Sequence, residues 1–341
     1  MGLLTVALIL GLLRIAPALG LIDIPGSTVR KFHDGSPALV GGIAIFVALF
    51  FTLTLFKPDL LFSNLALTMA AFLLVVTGAV DDRFDLRPLF KLIAQITAAF
   101  IVVFLGKIVL LSLGRILPGD KVLALGGFAV PFTVLAIVVL LNAWNMIDGL
   151  NGLCSGITLI CLFWLMIVIA VQGTNTQALF LPGLLAIGIA CFLPFNTGFF
   201  GRRPHALAFM GDAGSLFLGL CMAWIPLKLT QDISFKIPPM VIAWILALPV
   251  FDMTCVCIKR IAAGKNPMAA DKTHLHHLLI ANGHSSSRTV EMICAMTLIY
   301  GGIGVLGWIW HWPQAVLFLL LVAALAGHAF LRIRLRRNAK T

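Results

Sequence analysis

At 341 residues, 61% hydrophobic and only 11% charged, with a mean hydropathy of +1.08, the chain is too apolar for a soluble helical bundle, because soluble domains run at about 45–50% apolar. Its formal net charge of +11, from 24 Lys and Arg against 13 Asp and Glu, calls for no nucleic-acid partner, since membrane proteins carry an excess of cations in their cytoplasmic loops. Composition therefore predicts an all-α polytopic membrane protein, a single integral-membrane domain over residues 1–341 with a basic tail at 331–341.

A helix needs about 20 apolar residues to cross the hydrocarbon core. On that ruler about eleven spans are predicted, at 2–20, 39–56, 64–80, 89–105, 128–147, 153–171, 178–195, 214–230, 238–258, 291–309 and 314–331. The first lacks a positive charge ahead of it and carries Arg14 behind its apolar stretch, so it reads as a retained helix, not a signal peptide. The loops fall into two alternating sets. One holds 17 Lys and Arg and the other 6, with Arg14 inside the first span. This bias predicts a periplasmic N-terminus, a cytoplasmic C-terminus and a tail, Arg332–Lys340, that anchors on the anionic leaflet.

The acidic residues that could do chemistry stand where apolar runs end, and carboxylates at such depth are functional candidates by default. Asp81-Asp82-Arg83-Phe84-Asp85 follows the third span, with Pro88 placed to open the fourth. Adjacent carboxylates repel, so both stay ionised only beside cations or a metal; if the link is helical, Asp81 and Asp85 share a face. The alternative is a charged turn paired with Arg83 and Arg87. Lys107–Gly127 has the alternation of a short external hairpin.

Asn142, Asn145 and Asp148 close the fifth span and, at steps of three, occupy an arc of about 120° on a helix. Gly149 and Gly152 then break the helix beside Asn151. Helix–helix hydrogen bonding by the asparagines is the competing role. Met210-Gly211-Asp212-Ala213-Gly214-Ser215 opens the eighth span. Asp212 there suits either a helix cap or a hard-oxygen ligand for Mg²⁺. Asp252 closes Pro239–Phe251. The largest cytoplasmic loop carries Asp271-Lys272-Thr273-His274-Leu275-His276-His277, whose imidazoles, beside Lys and Arg, suit a diphosphate. Seven cysteines, an odd number in or beside apolar segments, argue against a disulfide framework.

Together these motifs resemble the polyprenyl-phosphate N-acetylhexosamine-1-phosphate transferases, glycosyltransferase family 4. The match rests on Arg30-Lys31-Phe32-His33 with Pro37 and Gly41-Gly42, the Asp81-Asp82 pair, Asn142–Gly152, Met210–Ser215 and His274–His277, in that order on alternating helix ends. Asp-Asp-Arg-Phe-Asp at 81–85 and Gly201-Arg202-Arg203 are similar to the bacterial branch that uses UDP-N-acetylglucosamine and undecaprenyl phosphate. The resemblance implies a cytoplasmic-face active site in the bacterial inner membrane. There, N-acetylhexosamine-1-phosphate would pass from a UDP-sugar to undecaprenyl phosphate, UMP would leave, and a lipid-linked surface glycan would begin.

In the same terms, Asp212 and Asn145 are implied as ligands of Mg²⁺, or of Mn²⁺ in its place. Asp81 and Asp82 would be the catalytic carboxylates that position or deprotonate the lipid phosphate. Lys91, His274, His276 and His277 are similar to positions near the diphosphate. Asp148 and Asn151 resemble nucleotide-side positions, and Asn142, Arg30, Lys31 and His33 complete the substrate-binding set. The bacterial branch commonly has Asp where this chain has Asn151, which puts metal ligation there in doubt and keeps a hydrogen bond to uracil. A homodimer is compatible with the sequence. The rival classes are an ion- or lipid-coupled transporter, an intramembrane aspartyl protease and a lipid-binding scaffold. Phe209 stands where the protease pattern wants glycine, and a transporter would put its acids at the midplane.

Overall fold

The computed structural model describes residues 1–23, 36–117, 119, 121–173, 176–198, 206–231, 237–264 and 273–338. Arg30, Lys31, His33, Asp271 and Lys272 lie outside these residues. In chain order the elements are α1 (Gly2–Leu19), β1 (Ala38–Leu39), α2 (Gly41–Phe56), α3 (Pro58–Ser63), α4 (Leu65–Phe84) and α5 (Pro88–Phe100), the last running on through a π-helical turn to Leu105. Next come α6 (Ala129–Ile147), α7 (Leu153–Gln172), α8 (Phe180–Thr197), β2 (Ala208–Phe209) and α9 (Gly211–Gln231). The series closes with α10 (Pro239–Ile245), α11 (Ala247–Ala262), α12 (Leu275–Ala281), α13 (Ser286–Ile309) and α14 (Gln314–Asn338).

Among the described residues nine helices are long and apolar enough to cross a membrane. The bent pair α10–α11, turned by 75°, makes a tenth if it counts as one span, and α2 is a shorter apolar helix of 16 residues. The expected figure of eleven is not confirmed by these lengths: the predicted 39–56 run is a helix only over 41–56, and the 238–258 run is broken at Leu246. Large apolar side chains such as Phe72, Phe104, Phe163, Leu319 and Phe330 stand exposed on the outer faces. Backbone groups closed within helices and apolar side chains turned outward are what a bilayer requires. The chain is a multi-pass membrane protein.

The helix buried along nearly its whole length is α9, which packs against α4, α6 and α2. Close approach here depends on glycine. A Cβ at Gly78 of α4 would lie 2.3 Å from the backbone nitrogen of Ala213, so even a methyl group would force the two helices apart. This contact brings the Asp81-Asp82 end of α4 against the first turn of α9. A two-residue parallel ladder, with Ala38 opposite Ala208 and Leu39 opposite Phe209, ties the starts of α2 and α9 together; nothing in the sequence announces it. The Lys107–Gly127 expectation is met in part by an antiparallel bridge between Ser112 and Ala124.

The two ends of α9 differ in chemistry. At one end stands Asp212. At the other, Lys228 and the Trp224 indole both donate to Asn64 Oδ1, at 2.8 and 3.1 Å. Sixteen residues at 1.5 Å each separate these ends by about 24 Å. The last turn of α1 reaches Arg83, beside the Asp212 end, and the last turns of α14 also reach that end, through Arg332.

Candidate active site

Pro88 sits in the first turn of α5, as expected, and one turn later α5 presents Lys91. Its ammonium donates to Asp81 Oδ2 at 2.8 Å and to Asp212 Oδ2 at 3.0 Å, joining α4, α5 and α9 at one point. Asp81 is buried, whereas Lys91 and Asp212 keep about a quarter of their side chains exposed. The other oxygen of Asp81 accepts from the Leu86 backbone at 2.8 Å, closing the end of α4. Asp85 departs from the expectation that it shares a face with Asp81. It is exposed in a left-handed turn, φ 50°, because the helix stops at Phe84.

The second acid of the pair has another task. Asp82 Oδ1 accepts from the Asp212 backbone at 2.9 Å, and Oδ2 accepts from Ala213 at 3.4 Å. It is the cap of α9, supplied by a different helix. Gly211 makes this approach available: its φ is +73°, and a Cβ there would sit 2.6 Å from Asp82 Oδ2. The capping role that Asp212 could have had thus falls to Asp82, and the Asp212 side chain is left to Lys91 and the site. Asp82, expected beside Asp81 as catalytic, has both carboxylate oxygens on backbone amides of α9 in this structure.

The end of α6 supplies the next layer. Asn145 donates from its amide to Ser215 Oγ at 3.0 Å and also hydrogen-bonds the Asp212 carboxylate. Asp148 caps the helix, half-buried, close enough to feel the charge of Asp212. Burial first, and that charge second, push its carboxyl up to about 7. Asn142 takes the helix–helix role: its amide donates to Gln95 Oε1 at 2.7 Å and to Val138 O at 2.8 Å, away from the carboxylates. Asn151 is exposed in the turn that follows. Asn196 of α8, which sequence reasoning missed, fixes that turn by accepting from Gly152 N at 2.6 Å while donating to Ala208 O at 3.1 Å. Its one signal was a polar residue closing an apolar run, the signal that exposed the aspartates.

The histidine motif lies across from the same turn. His276 is buried, and its Nε2, without a hydrogen-bond partner among the described residues, stands 2.4 Å from where a Cβ on Gly149 would be. Burial, then His277 and His274 beside it, hold its pKa well below the usual imidazole value. The ring is therefore neutral at physiological pH. The His277 ring lies 4.1 Å from that of His276, and the His274 ring stacks on it at 5.9 Å. His274 Nδ1 is bonded to Asp252 Oδ2 at 2.8 Å.

Arg332 also departs from the expected membrane-anchoring tail: it is buried and bonded to Asp252 and to Thr273 O. Its signal was His328 and Arg332, one turn apart inside an apolar run.

Among the described residues no three His, Cys, Asp or Glu side chains are disposed to hold a metal ion, and all seven cysteines are free. The donors around Lys91 are nonetheless all hard oxygens: two carboxylates on one ammonium, the Asp148 carboxyl nearby, and an Asn145 amide whose nitrogen is already spent on Ser215 and Asp212. That chemistry fits Mg²⁺, which binds through one or two carboxylates and fills its remaining positions with water and phosphate oxygens.

Between α5 and α6 an apolar groove of about 490 Å³ opens. It begins at Leu92, next to Lys91, and follows Ile96 and Phe100 opposite Val138, Val134 and Val130.

Residues 64–230 match the family described as Glycosyl transferase family 4. The chain is 33% identical over 311 residues to the undecaprenyl-phosphate alpha-N-acetylglucosaminyl 1-phosphate transferase of Escherichia coli (strain K12), covering 90% of this chain and 83% of that one. The proteins of the same name from Yersinia pestis, at 33% over 311 residues with 90% and 83% covered, and from Haemophilus influenzae, at 33% over 307 residues with 89% and 84% covered, are similar to it to the same degree.

Proposed function

The chain belongs to glycosyl transferase family 4, and from that premise we propose that it transfers N-acetylglucosamine-1-phosphate from UDP-N-acetylglucosamine to undecaprenyl phosphate at the cytoplasmic face of a bacterial inner membrane, releasing UMP and starting a lipid-linked glycan. The observation that carries this reading is the meeting of Asp81, Lys91 and Asp212 from three helices, on an α5 that also lines an apolar groove from Leu92 onward. Such a place receives a phosphorylated lipid.

The reaction joins two anions, so alignment and charge neutralisation supply most of the catalysis. An oxygen of the lipid phosphate attacks the β-phosphorus of the UDP-sugar. The bond from that phosphorus to the bridging oxygen breaks, and UMP leaves with the electron pair. A phosphate monoester has a second pKa near about 6, so the nucleophile is largely ionised at neutral pH and needs no obligatory base. Asp81 orients Lys91, and Lys91 offers its ammonium to the phosphates. Neutral His276, aimed at the Asp148–Gly149 turn, donates a hydrogen bond to the diphosphate without adding charge. Asp212, Asn145 and Asp148 would hold a Mg²⁺, which when bound screens the diphosphate and polarises its oxygens.

The alternation of basic loops supports a periplasmic N-terminus and a cytoplasmic tail. The arrival of the last turns of both α1 and α14 at the Asp212 end agrees with that orientation.

The purified protein, given undecaprenyl phosphate, Mg²⁺ and a panel of UDP-sugars, should form lipid-linked product with release of UMP, most readily from UDP-N-acetylglucosamine. Absence of product with every sugar, together with ion or lipid flux in liposomes lacking UDP-sugar, would replace this reading with a transporter. Within the enzyme, His276→Ala should raise the KM for the UDP-sugar about tenfold, a loss of one hydrogen bond to a charged group, and leave the lipid KM within twofold. Equal changes in both would remove His276 from the donor side.

A further inference from the structure

The seven residues of α12 are too few to hold a helix on their own, yet α12 carries His276, which faces Gly149. Its far end is tied to α14 by Asn282 Nδ2, which donates to Leu335 O at 2.9 Å, and its start is fixed by one buried carboxylate from another helix. Asp252 of α11 accepts from the Leu275 backbone at 2.9 Å through Oδ1 and binds His274 Nδ1 at 2.8 Å through Oδ2, setting both the start of α12 and the ring of His274. That ring stacks on His276 with an interplanar angle of 10°.

Asp252 is in turn held from the C-terminal helix. One guanidinium nitrogen of Arg332 bonds Asp252 Oδ1 and, at 3.3 Å, its carbonyl oxygen; the other donates to Thr273 O at 2.6 Å. Both residues are buried. One turn earlier on α14, His328 brings Nε2 within 3.9 Å of Asp252 Oδ1. Arg332 thus spans α11 and the segment entering α12, and a planar fork of donors suits that task better than a point charge.

We propose that Asp252 and Arg332 are positioning residues for the sugar-nucleotide side of the reaction: the C-terminal helix acts as a strut that holds the histidine motif against the Asp148–Gly149 turn. Neither residue touches the carboxylates around Lys91. Their removal should therefore loosen donor binding and spare the acceptor. This rests on the reading of His276 as a donor-side contact, so the test includes an arm that does not depend on activity.

Arg332→Met and Asp252→Asn are made in the full chain and purified in nanodiscs. KM values for UDP-N-acetylglucosamine and undecaprenyl phosphate are measured, together with labelling of His276 by diethyl pyrocarbonate, read by mass spectrometry with exposed His311 as internal standard. Arg332→Met should raise the UDP-sugar KM at least tenfold, leave the lipid KM within twofold and increase His276 labelling at least fivefold. Asp252→Asn should move the same two quantities in the same direction, about threefold or more, and it carries the test alone if the first variant fails to fold. Labelling and UDP-sugar KM within twofold of wild type in both variants would overturn the proposal, as would equal rises in the two KM values. If the wild-type protein shows no transfer at all, the assigned reaction fails, and the labelling arm still decides whether Arg332 and Asp252 hold the motif.

Discussion

Asp212→Asn will reduce UMP release by roughly a thousandfold, the scale expected when a preorganised electrostatic contact to a phosphoryl transition state is lost. The neutral amide has almost the same shape but surrenders the charge that Lys91 answers and that the proposed Mg²⁺ would need. Its effect on folding should be small, because α9 is capped through the Asp212 backbone nitrogen, which Asn also has, and the capping carboxylate belongs to Asp82. UMP release measured across a range of Mg²⁺ concentrations, beside a melting curve, checks both halves. Substantial activity with wild-type Mg²⁺ dependence would take Asp212 out of the metal site. A large drop in melting temperature would mean that its side chain holds the helices together.

Asp81→Asn should lower kcat by about a hundredfold, the low end of what losing one preorganised electrostatic contact costs. The substitution retains an oxygen for Leu86 N but turns an amide nitrogen toward the Lys91 ammonium, two donors face to face. Lys91 then leans on Asp212 alone. The pH profile decides what Asp81 does. As a positioner of Lys91 it leaves a constant ratio of variant to wild-type rate between about pH 5 and pH 7, the window in which a phosphate monoester ionises. Were it the base for the lipid phosphate, the variant would regain ground as rising pH ionises the monoester, whose second pKa is near about 6. The constant ratio is expected here.

The sequence made the membrane architecture plain, because an apolar run of span length has few other uses in water. It also made the aspartates legible, since a carboxylate at the edge of such a run is costly unless it is used. The division of labour between them was hidden. Asp81 and Asp82 are adjacent and chemically alike, and only the meeting of α4 with α9 at Gly78 decides that one faces Lys91 and the other two backbone amides. The same limit applied to Asn142 and Asn145: one helical stripe, with Gln95 waiting for the first and Ser215 for the second. Arg332 looked like part of a basic tail because charge runs beyond the last span usually meet lipid, and its partner, Asp252, lies 80 positions earlier. The break at Leu246 left no trace in a hydropathy count, since the apolar run continues across it.

The bond from Asp82 to the amides of residues 212 and 213 means that the first turn of α9 and the last turn of α4 share one rigid frame. Acids set in such a frame cannot be retuned one at a time, whereas the turn around Asn151 and the histidine segment hang on separate supports. A substitution in either outlying piece accordingly leaves the α4–α9 frame in place, whereas one at residue 82 disturbs both of its acids together.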